Sequence, residues 1–236
     1  MYICIAMPNR EAHCKQFFER LEVTPVYVKP VDKNSVDIQN LEEKDVVARK
    51  WVRRSPIPAA SRKFEIACAL SHMAACKAIV ESKCRWAFVF EDDNIIGEDC
   101  ISGFKKIVCW AEENHDNFHL INISPCNSLH TFRTGLLEKN QGCTNALLYS
   151  QAGAQYVVDN LLPLKSPIDD WLHLNIPRSY CVHKRIFSQY DSTAPLTLKT
   201  LLNPVYRKQE YLCNLHLMMV VASVSSAMLS VVWWVM

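Results

Sequence analysis

The run Trp86-Ala87-Phe88-Val89-Phe90 is apolar throughout and stops at three consecutive carboxylates, Glu91, Asp92 and Asp93. An unbroken apolar run of this length reads as a buried strand, and such a strand needs other elements to cover it. The chain supplies them in alternation. Tyr2 to Met7 and Val26 to Val31 are β-rich runs, and between them Phe17, Phe18 and Leu21 recur at helical spacing within Asn9 to Leu21. Lys63 to Ser82 predicts a strong helix, with Ile66, Leu70, Met73, Ala74, Ile79 and Val80 on adjoining faces. Beyond the acidic triplet follow a helix over Asp99 to Trp110, strands over Phe118 to Ile123 and Ala146 to Ser150, and a helix over Ala152 to Leu161. Strands alternating with helices predict an α/β sandwich around a central, mostly parallel sheet. From Lys33 to Pro58 the pattern dissolves into charged residues with Pro56 and Pro58, which predicts a long exposed loop acting as a flexible flap.

Composition narrows the class. With 236 residues, 50% of them hydrophobic, and only 5 Gly and 11 Pro, the chain is neither disordered nor collagen-like. Its net charge of +2 is spread along the chain, so nucleic acid is not an expected partner. Eleven cysteines without a CxxC pair do not make a zinc framework; they read as mostly small buried hydrophobes, which favours a reducing compartment.

The two ends differ. Met1 to Pro8 lacks a basic leader and reads as a first strand, whereas Leu217 to Met236 holds 20 residues without a charge, enough to cross a hydrocarbon core of about 30 Å. Trp233 and Trp234 near its far end resemble interfacial anchors. The expected organisation is a catalytic domain over 1–200, a connector over 201–216 and a membrane helix over 217–236, with the domain facing the cytosol.

In an open α/β sheet, ligands sit outside the carboxyl ends of strands, where Glu91-Asp92-Asp93 lies. A divalent cation relieves the mutual repulsion of three carboxylates, and Mn²⁺ or Mg²⁺ prefers such oxygen donors, sharing its shell with phosphates. The other reading of the triplet is a turn that caps the next helix. A second acidic pair, Asp169-Asp170, follows Pro167-Ile168; either residue could cap a short helix over Trp171 to Leu174 or project into the cleft as a general base. Helix amides would keep that base ionised. His72, after Ser71, reads as a hydrogen-bonded structural histidine.

These pieces together resemble glycosyltransferase family 25, the lipooligosaccharide and procollagen galactosyltransferase group. The matching order is Asn9-Arg10, Val31-Asp32, Phe64-Glu65-Ile66-Ala67-Cys68-Ala69-Leu70-Ser71-His72, Phe88-Val89-Phe90-Glu91-Asp92-Asp93, and Pro167-Ile168-Asp169. The resemblance implies a GT-A type nucleotide-sugar fold. It implies a hexosyltransferase that moves a sugar, galactose favoured over glucose by family habit, from a UDP-sugar to a hydroxyl of a glycan, glycolipid or glycoprotein with inversion. Glu91 and Asp93 would hold the Mn²⁺ or Mg²⁺, and Arg10, Asp32 and Asp92 would contact the donor. Asp169 or Asp170 would be the base, with Glu65 a weaker candidate. The chain departs from the family pattern at Phe64 and Lys33, where glycine is usual. Those departures motivate an alternative, a catalytically degenerate, membrane-tethered binding protein of the same fold. A metal-dependent hydrolase would need more metal ligands, and His115 and His119 straddle a predicted helix-strand junction rather than one helical face, so it ranks below both.

Overall fold

A computed structural model describes residues 1–54, 58–97, 100–125, 136–138, 143–182 and 186–189. Met1–Tyr190 form one compact unit. The segments read as connector (201–216) and membrane helix (217–236) and the end of the predicted catalytic domain lie outside the described residues. Among the described residues no helix is long and apolar enough to cross a membrane.

The chain opens with β1 (Tyr2–Ile5), a 3₁₀ turn (Pro8–Arg10), α1 (Glu11–Leu21) and β2 (Val26–Val28). A second 3₁₀ turn (Lys33–Ser35), α2 (Ile38–Glu43) and α3 (Arg49–Arg54) lead to the long α4 (Ala59–Ser82). Then come β3 (Trp86–Glu91), β4 (Asn94–Ile96), α5 (Cys100–Asn114), β5 (Leu120–Asn122), β6 (Leu136–Glu138) and β7 (Ala146–Ser150). The described part closes with α6 (Gln151–Asn160), α7 (Ile168–Asn175), β8 (Ser179–Val182) and β9 (Phe187–Gln189).

Seven strands form one sheet in the order β2-β1-β3-β7-β5-β8-β6. Strands β2, β1, β3, β5 and β8 run one way and β7 and β6 the other, so the sheet is mostly parallel, as expected. Strands β4 and β9 pair separately. Because side chains alternate across a strand, β3 divides its residues between two layers. Ala87 and Val89 join the cluster holding Ile66, Ala75 and Ile79 of α4 with Val157 of α6 and Leu172 of α7. Trp86, Phe88 and Phe90 join the one holding Phe17 and Phe18 of α1 and Phe104 of α5.

Pairing positions the site. Ile5 of β1 stands beside Glu91, which brings the turn after β1 to the acidic strand end. On the other side Glu91 N–H donates to Asn145 C=O at 2.9 Å, which delivers the residues before β7 to the same place.

The expected flap between Lys33 and Pro58 is instead largely ordered into the 3₁₀ turn, α2 and α3, apart from 55–57, which lie outside the described residues. Its charges decorate a surface, but Val36 and Val47 are buried in the α4-side core. Ala48 N–H donates to Leu164 C=O and Leu164 N–H to Val46 C=O, each at 2.9 Å. Asp37 caps α2 by accepting from Asn40 N–H at 3.2 Å. A few apolar anchors in short elements leave no periodicity long enough to read.

The burial of the cysteines follows expectation in the main, whereas a disulfide does not fit the expected reducing compartment. Cys4, Cys14, Cys76, Cys100 and Cys181 are free and buried, whereas Cys109 is exposed and Cys143 is disulfide-bonded.

Candidate active site

Glu91 ends β3 on the same pleat face as Ala87 and Val89, so it meets α4. There α4 presents Cys68 and His72, four residues apart and hence on one helix face. His72 Nε2 lies 2.9 Å from Glu91 Oε1. Thr144 Oγ1 donates to the same oxygen at 2.7 Å, and the Cys68 thiol approaches it at 3.9 Å. The His72 side chain is 1% exposed and that of Glu91 22%. Burial works to raise the Glu91 pKa, but hydrogen bonding to His72, its positive charge, and the Thr144 and Cys68 contacts outweigh it and leave the carboxyl below its ordinary value. His72 is thus the buried, hydrogen-bonded histidine expected, and its partner is the acidic strand end itself. The neighbouring Ser71 is structural: its hydroxyl accepts from Val31 N–H at 2.9 Å and donates to Ala67 C=O at 2.7 Å.

Asp169 converges on this group from α7. Its Oδ1 lies 3.3 Å from Thr144 Oγ1, and its Oδ2 accepts from Cys143 N–H at 3.2 Å. Cys143 holds a left-handed φ of 57°, a strained conformation for a side-chain-bearing residue and of a kind that recurs at functional sites. Burial and then the Glu91 charge push the Asp169 pKa up, against the lowering effects of His72, Thr144 and the Cys143 amide. Glu65 is pushed up to about 7 by burial and then by Asp169, Asp170 and Glu91. The four carboxyl groups Glu65, Glu91, Asp169 and Asp170 therefore act on one another, while Asp170 itself is exposed.

Two expectations about this pair are corrected. The helix begins at Ile168 rather than Trp171, with Pro167 in the cap position, so Asp169 and Asp170 stand inside its first turn and neither is the cap residue. The buried Ile168 extends the apolar face one turn earlier than the acidic pair suggests. Nor do helix amides dominate Asp169, since burial and the facing Glu91 prevail.

Asp92 faces elsewhere. Asp92 accepts from Met7 N–H at 2.8 Å and pairs with Arg10 at 3.2 Å, tying the turn after β1 to the end of β3. Asp93 is pushed up to about 7 by burial, then by Glu91 and Asp92, against the pull of Arg10. Surplus negative charge of this kind, on oxygen donors at a strand end, is the chemistry that hard divalent ions favour. Asp32 is exposed and accepts from Asn34 N–H at 2.9 Å, capping the turn Lys33–Ser35; no described contact joins it to the cluster. Phe64 lies within α4 and Lys33 within the 3₁₀ turn, neither at positive φ, so the backbone at the two departures from the family's glycines needs no glycine. His119 packs near Arg178 and Tyr156 rather than in this group.

Sequence reasoning missed Cys68 and Thr144 as members of the site. Cys68 carried a signal, its four-residue spacing from His72. Thr144 carried none, because its place depends on β3–β7 pairing and on the backbone at Cys143.

Residues 6–172 match the model of glycosyltransferase family 25 (LPS biosynthesis protein), which is more than half of the chain. The chain belongs to glycosyltransferase family 25, and the α/β sheet with its acidic strand end is the frame of a sugar transferase. No curated protein matches it.

Proposed function

We propose that the protein is an inverting, metal-dependent hexosyltransferase of GT-A type that moves a sugar, galactose favoured, from a UDP-sugar to a hydroxyl of a glycan or glycoconjugate. The observation that carries the reading is the convergence of Asp169, Glu65 and Glu91 where β3, α4 and α7 meet, at the strand end where open α/β sheets bind ligands. Asp169 is the base: the Cys143 amide and Thr144 hydroxyl orient its carboxyl, and its raised pKa makes it a better proton acceptor once ionised. It takes the proton of the acceptor hydroxyl as that oxygen attacks the anomeric carbon and UDP leaves from the opposite face. Glu65 orients the acceptor and is the next candidate for the base.

Glu91 and Asp93 would hold a Mn²⁺ or Mg²⁺ ion, which supplies charge neutralisation at the donor diphosphate. Arg10, held by Asp92 at the turn after β1, would contact the donor together with Asp92 and Asp32. The segment 217–236 anchors the enzyme to a membrane, with the catalytic domain in the cytosol.

The test is transfer and donor hydrolysis over a panel of UDP-sugars with and without Mn²⁺, alongside calorimetric titration of Mn²⁺ and UDP. Turnover of one UDP-hexose that needs the metal supports the reading. Tight UDP binding with no turnover of any donor would favour the degenerate binding protein instead.

A further inference from the structure

Three metal-ligating side chains of different chemistry meet on the α4 side of β3. Cys68 Sγ, His72 Nε2 and a Glu91 carboxylate oxygen all lie within 4.8 Å of one another. We infer that Cys68, His72 and Glu91 form a binding site for a zinc-class transition-metal ion, sharing Glu91 with the oxygen pair Glu91 and Asp93 but adding a thiol and an imidazole.

The geometry is near what such an ion requires. Tetrahedral zinc with bonds of roughly 2.0 Å to N and O and 2.3 Å to S spaces its ligands about 3.3–3.6 Å apart. Here the Glu91 oxygen stands 2.9 Å from His72 Nε2 and 3.9 Å from Cys68 Sγ, each within a few tenths of an ångström of those spacings, and the third separation is within 4.8 Å. Two ligands come from one face of a long helix, and the third from the end of a central strand, so rigid elements hold all three. Thr144 already orients Glu91 through its hydroxyl, as outer partners of metal ligands do.

His72 gives an independent indication. Its ring is 1% exposed, and Nδ1 has no hydrogen-bond partner among the described residues. A metal ion on Nε2 would take the place of the Nε2–H that Glu91 now accepts, with the ring proton carried on Nδ1. Thiol, imidazole and carboxylate together select zinc and its neighbours over Mg²⁺ or Mn²⁺. Binding displaces the thiol proton, and the Glu91 carboxylate beside the thiol favours the cation.

Cobalt is the probe, used on the full chain purified without metal. One equivalent of Co²⁺ is expected to give a thiolate-to-cobalt charge-transfer band that one equivalent of Zn²⁺ removes. Cys68→Ser should abolish the band and weaken Zn²⁺ binding roughly tenfold or more, Glu91→Gln should weaken it too, and Cys109→Ser, at an exposed cysteine, should change neither. Absence of the band in the wild-type chain, or its survival in Cys68→Ser, overturns the site. Mn²⁺-supported UDP binding is measured on the wild-type chain without added Co²⁺ or Zn²⁺, so its presence without the cobalt band overturns the zinc site alone, and its absence with the band overturns the transferase reading alone.

Discussion

The two faces of β3 differ in what they do. Toward α1 and α5, Phe88 and Phe90 enter an aromatic cluster, with ring centroids 5.0 Å apart for Phe88–Phe104 and 5.4 Å for Phe17–Phe90. Phe18 and Phe187 each lie 5.5 Å from Phe90. Toward α4 the same strand offers Ala87, Val89 and then Glu91, and α4 answers with Ala67, Ala75, Cys76, Cys68 and His72. Aromatic pairs contribute about 0.5–1.5 kcal/mol beyond their buried area, so the first face holds the strand in place. Small side chains on the second let α4 approach, and its thiol and imidazole reach the carboxylate at the strand end. One face stabilises; the other gathers chemistry at a cost in electrostatic repulsion. Mutations on the two faces should therefore separate stability from activity.

The largest expected effect lies on the chemical face. Asp169→Asn keeps the side-chain volume and removes the base, so sugar transfer should fall by about 10²- to 10⁴-fold with UDP and Mn²⁺ affinity little changed. The melting temperature should hold or rise, because a buried carboxylate facing Glu91 is gone. Steady-state kinetics and a thermal melt check both halves; wild-type kinetics would remove Asp169 from the reaction. On the aromatic face Phe90→Ala should cost about 3–5 kcal/mol of unfolding free energy, read from denaturant titration. Its folded fraction should keep donor affinity, since Phe90 points away from α4. Loss of affinity in step with stability would mean that the two faces are not separable.

Much of this contrast was legible in the sequence because strand alternation is a local rule. An apolar run ending in carboxylates predicts both a buried strand and a strand-end site, and the period of two puts Glu91 on the Ala87 and Val89 side. The order of helices and strands was readable for the same reason. What was not readable depended on long-range pairing. Thr144 reaches Glu91 only because β7 returns antiparallel beside β3, and Cys68 changes from a small hydrophobe to a member of the site only when α4 docks across Glu91. Val36 and Val47, two apolar residues in a charged stretch, gave no periodicity, so an anchored segment read as a flap. The start of α7 was misplaced because an acidic pair suggests a cap, whereas Pro167 takes that position.

The charged face should also reveal itself in pH dependence. Glu65, raised from 4.5 to about 7, and Asp93, raised from 3.8 to about 7, keep their protons in the folded chain after the unfolded chain has lost them. The unfolded state then binds fewer protons, so these groups contribute stability below about pH 4 that is lost as pH rises toward 7. Glu65→Gln removes one such contribution. Relative to wild type its stability should improve steadily between pH 4.5 and 7 and level off above, measured in chelator by thermal melts. Parallel curves would take Glu65 out of the carboxyl cluster.

The smallest effect, and the sharpest test of inside against outside, is at Asp170. It follows Asp169 in the first turn of α7, where successive side chains point about 100° apart, and it is exposed while Asp169 bonds to Cys143 and Thr144. Asp170→Asn loses a favourable interaction with the helix N-terminus of about 0.3–1 kcal/mol. It also removes a charge that opposes ionisation of Glu65. The two changes oppose each other, so stability at pH 7 should move by no more than about 0.5 kcal/mol. Transfer should stay within roughly twofold of wild type, because Asp170 makes no described contact with Thr144 or Glu91 and is not the base. The Glu65 titration should move to lower pH, which the melts described for Glu65→Gln would register as a narrower window. If Asp170→Asn abolishes transfer while Asp169→Asn is active, the two residues exchange roles. The base would then work from the solvent side of α7, and Glu91, Thr144 and Asp169 would be structural.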